Sequence, residues 1–92
     1  MDVELVFKAL ADTNRLKILE LLIKGETCGC TLIDKLPITQ PTLSHHLKIL
    51  NKAGLTIAKK DGTWMKHHVD KNRIDEIIQF FQELKEAEEV CS

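Results

Sequence analysis

The sequence lacks the features of membrane-spanning, secreted and repetitive proteins. No apolar stretch approaches the roughly 18 residues that a membrane-spanning helix needs. Residues 1–4 carry neither the basic region nor the apolar run of a secretory signal. Internal repeats and low-complexity linkers are also missing. These absences lead us to expect a cytoplasmic protein that folds as a single domain over residues 1–92.

Cysteine is scarce, and no catalytic arrangement stands out. The chain has three cysteines, and two of them, Cys28 and Cys30, are separated by one residue. In the cytoplasm this pattern indicates a thiol site rather than a structural disulfide framework. No Ser-His-Asp triad or pair of catalytic carboxylates is recognisable, which argues against an enzyme.

The formal net charge of −1 conceals a separation of charge along the chain. Residues 40–71 contain six lysines and two acidic residues, whereas residues 72–92 contain six acidic and two basic residues. Any contact with the phosphates of a nucleic acid is therefore expected from the middle third of the chain.

Apolar spacing and capping residues predict two helices before residue 26. The first is short, with apolar residues between Val3 and Leu10. The second follows a cap at Asp12 or Thr13 and ends at Gly25. Its broad apolar face is expected to form the central core and consists of Leu16, Ile18, Leu19, Leu22 and Ile23.

A helix-turn-helix is predicted next. Residues 31–34 fit a capping box that opens a third, short helix, which Pro37 stops. The fourth helix follows a cap at Thr39 or Gln40 and ends at Gly54. Two short helices joined by a turn, the second of them amphipathic, are typical of this motif.

A β-hairpin and a last helix complete the predicted fold. Residues 55–60 and 63–69 are strand-like, and Asp61 and Gly62 between them indicate a two-residue turn. From Lys71 onward, apolar residues recur at helical spacing. The fold class is therefore mainly α with a small hairpin: a winged helix-turn-helix of five helices and a two-stranded wing.

The last helix also predicts a homodimer. A monomer of 92 residues buries only about two-thirds or less of its unfolded surface, and the apolar stripe is long for so small a domain. We expect the two terminal helices to form a dimer interface. Its residues would be Ile74, Ile77, Ile78, Phe81 and Leu84, joined by Val6 and Leu10.

Two groups of side chains are candidates for contacting double-stranded operator DNA. On the fourth helix, donors and acceptors able to meet base edges face away from Leu43, Leu47 and Leu50; they are Gln40, Thr42, Ser44, His45 and Lys48. Around the wing, side chains able to reach phosphates are Lys59, Lys60, Thr63 and Lys66. His46 is expected to be a hydrogen-bonded core histidine, and Trp64 a packing residue.

These elements resemble the arsenical-resistance repressor (ArsR/SmtB) family over nearly the whole chain. The segments that carry the resemblance are residues 11–19 (ADTNRLKIL), 40–47 (QPTLSHHL), 59–64 (KKDGTW) and 26–30 (ETCGC). The resemblance implies a dimeric repressor that binds DNA when metal-free and releases it when metal binds. It also implies that residues 26–30 form a metalloid-binding site.

The two neighbouring cysteines are the predicted sensor. Thiolates select soft ions, such as As(III) or Sb(III), with Cd(II) and Zn(II) also possible. Residues i and i+2 of a regular helix point about 200° apart, so Cys28 and Cys30 are expected to bind one ion only if that segment distorts. Cys91 becomes a third ligand only if the chain end folds back or crosses the dimer.

Two other functions stay open. A thiol redox switch would use Cys28, Cys30 or Cys91 and would also release DNA in a thiol-dependent way. A protein-interaction module that has lost DNA binding is compatible with the near-zero net charge, although the basic wing argues against it.

Overall fold

The computed structural model describes residues 1–88 and, over that range, contains five helices and one β-hairpin. The elements are α1 (Val3–Leu10), α2 (Thr13–Ile23), α3 (Gly29–Asp34), α4 (Gln40–Lys52), β1 (Thr56–Asp61), β2 (Trp64–Val69) and α5 (Lys71–Glu86). This order confirms the predicted fold class. Among the described residues, no helix combines the length and apolarity that crossing a bilayer requires.

Side-chain caps and left-handed glycines set the bounds of the longer central helices. Asp12 is the N-cap of α2. Its carboxylate accepts hydrogen bonds from the backbone N–H groups of Asn14 at 2.9 Å and Arg15 at 3.1 Å. The hydrogen bond from the Arg15 amide is the main reason that the pKa of Asp12 lies below its ordinary value. Thr39 caps α4 through the Thr42 N–H. After α2, Gly25 has φ +90° and lets the chain reverse.

Helix α3 begins three residues earlier than predicted. Its N-cap is Cys28, whose Sγ accepts the Cys30 N–H at 3.4 Å. The Thr31 hydroxyl, expected to be the cap, instead donates to the Cys28 carbonyl at 2.9 Å. Thr31 therefore lies inside the first turn of α3, and the cysteine pair marks the start of the helix.

The core is a single apolar cluster between α1 to α4 and the start of the hairpin. Its fully buried side chains include Ile18, Leu32, Leu43 and Leu50. The apolar face of α2 is narrower than predicted, because Leu16 is 46% and Ile23 80% exposed. The remaining core residues are Val6, Ala9, Leu22, Leu36, Leu47, Ala53 and Leu55.

A polar network around Arg15 joins three helices. Arg15 Nε donates to the Ala9 carbonyl at 2.7 Å and Nη2 to the Lys8 carbonyl at 3.2 Å, at the end of α1. Nη1 lies 3.1 Å from Nδ1 of His46 on α4. Since a guanidinium only donates, His46 Nδ1 accepts and the imidazole proton is on Nε2. His46 is buried, which confirms the expected core histidine.

The hairpin turn lies one residue later than predicted. Asp61 pairs with Trp64, so the two loop residues are Gly62 and Thr63. Gly62 has φ +63° and Thr63 does not have a positive φ, which is the arrangement of a type II′ turn with glycine first. Leu55, expected in the first strand, is buried in the core instead.

Helix α5 leaves an apolar surface open. None of its residues is buried, although Ile74 and Ile77 pack partly against the core. Ile78, Phe81 and Leu84 are each more than half exposed. The prediction that Val6 joins this surface is wrong, because only 1% of Val6 is exposed. Phe7 takes its place, with ring centroids 6.1 Å from Phe80 and 5.7 Å from Phe81.

Gly54 is the position in this fold where a side chain is least tolerable. Its φ is +76°, and a Cβ there would lie 2.6 Å from Arg73 Nε. Gly54→Ala should lower the free energy of unfolding by at least about 1–2 kcal/mol from backbone strain alone. Urea unfolding checks this. Gly29→Ala is the matched control, since its Cβ would meet nothing within 4 Å and its φ is not positive; an equal loss in both variants would contradict the explanation.

Candidate nucleic-acid interface and thiol site

The outward side of α4 presents the first group of candidate DNA contacts. Its inward side is fixed by Leu43, Leu47 and Leu50, which are buried. Gln40, Ser44 and Lys48 follow one another at four-residue spacing and therefore lie along one stripe. All five candidates on this helix are exposed: Gln40, Thr42, Ser44, His45 and Lys48.

The wing presents its lysines on both faces. Lys59 pairs with Lys66 across the strands, while Lys60 pairs with Met65. Since neighbouring residues of a strand point to opposite faces, Lys59 and Lys60 extend on opposite sides of the hairpin. Both are exposed, as is Thr63 in the turn. Lys66 is half-buried and its Nζ lies 2.9 Å from the Asp61 carboxylate, so it is less available for a phosphate.

A cleft of about 510 Å³ separates α4 from the wing. Gln40 and Ser44 line it from the helix, and Trp64 and Met65 line it from the hairpin. Trp64, predicted to be a packing residue, is 57% exposed and has one side against the cleft. It belongs to the last strand pair before the turn. Cys30 also borders this cleft, which places the thiol site beside the surface that carries the candidate DNA contacts.

Cys28 and Cys30 are joined by a disulfide bond, with their Cα atoms 5.2 Å apart. The expectation that these residues point in opposite directions until the helix distorts is wrong. Cys28 is the N-cap and has extended backbone angles, φ −79° and ψ 135°, so only Cys30 belongs to the helix. Both residues are half-buried. The bond links two residues across a single glycine, so it is a local thiol pair and encloses no long loop.

The thiol site is hydrogen-bonded directly to the wing. The His67 N–H donates to the Thr27 carbonyl at 2.8 Å, and Cys28 forms an antiparallel bridge with Lys66. Thr27 and Cys28 thus attach to the free edge of β2 through one backbone hydrogen bond and one isolated bridge. Because α3 starts at Gly29, the same few residues are attached both to the wing and to the helix-turn-helix.

His67 is a residue of this region that sequence reasoning passed over. It pairs with Ala58, is 6% exposed and lines the cleft. Burial, and secondarily the neighbouring His68, lowers the pKa of His67 below its ordinary value. The sequence signal that could have identified His67 is the alternation of side chains along β2, which places every second residue of the strand on its inward face.

The predicted third sulfur, Cys91, lies outside the described residues. Within residues 1–88, no three His, Cys, Asp or Glu side chains are arranged to hold a metal ion. Among residues 1–88, the structure therefore brings together the predicted pair of sulfurs and places no third metal ligand beside them.

Comparisons with known proteins agree on one family. A family model described as "Bacterial regulatory protein, arsR family" matches residues 12–57. An HTH-type transcriptional regulator of Methanocaldococcus jannaschii is 49% identical, covering 86% of this chain and 90% of that protein. The arsenical resistance operon repressor of Staphylococcus aureus is 37% identical over 94% of this chain and 83% of its own length.

A solved structure is similar over almost the entire chain. The homodimeric winged helix-turn-helix DNA-binding domain from Mycobacterium bovis is 29% identical, with a TM-score of 0.72. The similarity covers 98% of this chain and 87% of that domain.

The two groups of candidate DNA contacts should respond differently to mutation. We expect His45→Ala to reduce the preference for promoter DNA over an unrelated duplex by about tenfold, because base edges carry sequence information. Lys60→Ala should weaken binding to both duplexes alike and lower the slope of affinity against salt concentration by about one.

Gel-shift titrations of both duplexes at several salt concentrations measure both effects. Lys17→Ala is the control, since Lys17 is exposed on α2 outside both groups. Unchanged binding in both test variants would refute the assignment of these surfaces to DNA.

Proposed function

The chain belongs to the arsR family of bacterial regulatory proteins, and we propose that it is a homodimeric repressor that releases operator DNA when As(III) or Sb(III) binds Cys28 and Cys30. It is a winged helix-turn-helix transcription regulator and not an enzyme. The observation that carries the proposal is the cysteine pair, whose side chains meet at the start of α3 while their backbone is bonded to the wing.

Metal regulation is supported by the relatives. They include repressors of arsenical resistance operons, a cadmium resistance regulatory protein of S. aureus and a probable mercury resistance repressor of Streptomyces lividans. All three elements are bound strongly by thiolate sulfur. The choice of As(III) or Sb(III) for this chain rests on its closely spaced sulfur pair and on the arsenical repressors among its relatives.

Binding requires the two cysteines in their reduced form. Each thiol loses its proton and its sulfur bonds to the metalloid. Two sulfurs occupy two positions of a three-coordinate centre, and the third falls to Cys91, a water molecule or a small thiol. No large distortion of α3 is needed, because Cys28 already lies outside the helix.

The contacts of residues 27 and 28 supply a route from the ion to the DNA surface. A shift of this segment is transmitted to β2 through the His67–Thr27 hydrogen bond and the Cys28–Lys66 bridge. The same shift moves the start of α3, and with it the helix-turn-helix. The position of α4 relative to the wing changes as a result, and one duplex no longer fits both groups of contacts.

Dimer formation is supported by the apolar surface of α5. Ile78, Phe81 and Leu84 expose more than half of their area, and contiguous exposed apolar patches on soluble proteins mark interaction sites. The similar M. bovis domain is homodimeric. A two-fold dimer would present two reading helices to an inverted repeat.

A redox switch is the second candidate, because the two sulfurs are bonded to each other in the structure. With hydrogen peroxide as oxidant, one thiolate attacks the O–O bond, becomes a sulfenic acid and releases hydroxide. The second thiolate then displaces hydroxide from the sulfenic sulfur and forms the disulfide, and each hydroxide takes up a proton. Two electrons pass from the sulfurs to the peroxide, which becomes two equivalents of water.

Replacement of either cysteine should block the response to arsenite. With the parent protein, we expect arsenite to weaken operator binding about 5- to 150-fold. Cys28→Ser and Cys30→Ser should bind DNA normally and stay bound at those arsenite levels. Serine is a good N-cap, so the fold of the Cys28→Ser variant should be retained. A double variant that still releases DNA would overturn the sensor assignment, while Cys91→Ser tests the third position.

The reducing conditions of the titration separate the two candidates. In the presence of a phosphine reductant, which keeps Cys28 and Cys30 as thiols, arsenite should still release the parent protein from DNA. A redox switch predicts the reverse: release by peroxide, recovery on reduction and no effect of arsenite on the reduced protein. Gel-shift titrations with each agent decide between these patterns.

A further inference from the structure

The side chains of Asn51 and Thr56 join α4 to the wing. Asn51 lies in the last turn of α4, and Thr56 is the first residue of β1. The Thr56 hydroxyl donates to Asn51 Oδ1 at 2.5 Å. Within residues 1–88, no other side-chain hydrogen bond links α4 to the hairpin. Thr56 is 3% exposed, so its side chain is not available for contact with DNA.

Packing along the cleft does not fix the angle between α4 and the wing. The cleft of about 510 Å³ leaves a gap between facing side chains such as Leu47 and Ala58. Backbone hydrogen bonds fix the connecting chain as far as Leu55, whose N–H donates to a carbonyl of α4 at 3.1 Å and whose carbonyl accepts the N–H of the residue after β2 at 2.9 Å. The bond between Asn51 and Thr56 therefore adds a directional contact where β1 leaves the helix.

On the strand side of this contact, Thr56 shares a face with Lys60. Side chains alternate along a strand, so Thr56, Ala58 and Lys60 point to the same side of β1. At about 3.3 Å per residue, Lys60 lies about 13 Å further along the strand. A tilt of about 10° at Thr56 displaces Lys60 by about 2 Å, which is more than a hydrogen bond tolerates.

On the helix side, Asn51 shares a stripe with two candidate DNA contacts. Gln40, Ser44 and Asn51 all line the cleft, and spacings of four and seven residues place them along one side of α4. Ser44 lies about 10 Å from Asn51 along the helix axis, at 1.5 Å per residue. The hydrogen bond is thus at the connected end of the cleft, and the candidate DNA contacts lie further out on both of its sides.

We propose that Asn51 and Thr56 are positioning residues for DNA recognition, whose hydrogen bond sets the angle between α4 and the wing. Specific binding requires that Ser44 reach base edges while Lys60 reaches a phosphate of the same duplex. Non-specific binding depends mainly on charge and tolerates a range of angles. Loss of the bond should therefore weaken binding to promoter DNA more than binding to an unrelated duplex.

This inference rests on the proposed function in taking α4 and the wing as the DNA-binding surface. It assigns no role to Cys28 or Cys30. The arsenite response of the cysteine variants can therefore fail while this inference holds, and the reverse is equally possible.

The test uses three variants of the full-length protein. Thr56→Val removes the hydroxyl and keeps a β-branched side chain that suits a strand, whereas Thr56→Ser keeps the hydroxyl. Ile18→Val is the control for lost stability, because it shortens a fully buried side chain of α2 and leaves the contact between α4 and the wing in place. Gel-shift titrations compare promoter DNA with an unrelated duplex.

We expect Thr56→Val to reduce the preference for promoter DNA at least about fivefold, and Thr56→Ser and Ile18→Val to stay within about twofold of the parent. In the Thr56→Val background, Lys60→Ala should cost less promoter affinity than it costs the parent, because the two sites are coupled through the angle of the wing. An unchanged preference in Thr56→Val, an equal loss in Ile18→Val, or an unchanged cost of Lys60→Ala would overturn the inference.

Residual dipolar couplings of the free protein test the angle without DNA. Backbone N–H couplings of β1, β2 and α4 should fit the same relative orientation in the parent and in Thr56→Ser, and a different or averaged one in Thr56→Val. Couplings of Thr56→Val that match the parent would overturn the inference whatever the gel shifts show. A parent protein that does not bind promoter DNA would refute the proposed function, while these couplings still decide the positioning role.

Discussion

The orientation of α4 depends on the guanidinium of Arg15. Three helices meet at this side chain, which donates to two carbonyls at the end of α1 and to His46 in the middle of α4. Asp12 stands beside both, with carboxylate oxygens 4.0 Å from Arg15 Nη1 and from His46 Nδ1. Apolar contacts hold α4 against the core but are not directional. The fork of guanidinium hydrogen bonds supplies the direction, and thereby fixes which side of α4 faces outward.

Local chemistry made most of this architecture predictable. Asp12, Thr39 and Gly54 set helix bounds through contacts within a few residues, and the apolar period identified the inward face of α4. His46 was predicted to be buried from its position between Leu43 and Leu50. The nine candidate DNA contacts lie on the outer surface of α4 and on the wing, as expected from the same periodicities, although their contact with DNA stays a prediction.

The features that escaped prediction depend on residues distant in the sequence. Pairing of Thr27 and Cys28 with β2 joins segments almost forty positions apart in the sequence, and no local sequence pattern predicts it. The same pairing explains why α3 begins at Gly29 and why His67 lies inside. Val6 was assigned to the dimer surface and Phe7 was not, because a short helix with apolar residues on several sides does not reveal which side the core takes. Trp64 was predicted to be a packing residue, and its large exposed fraction follows from its place in the last strand pair before the turn.

The location of Trp64 gives this molecule a built-in optical probe. The chain has a single tryptophan and no tyrosine, so essentially all of its near-ultraviolet emission originates from one indole. That indole borders the cleft shared by Cys30, His67 and the reading face of α4. Events at the thiol site and at the DNA surface therefore reach the same chromophore, and its intensity and wavelength can be followed in real time without attaching a dye.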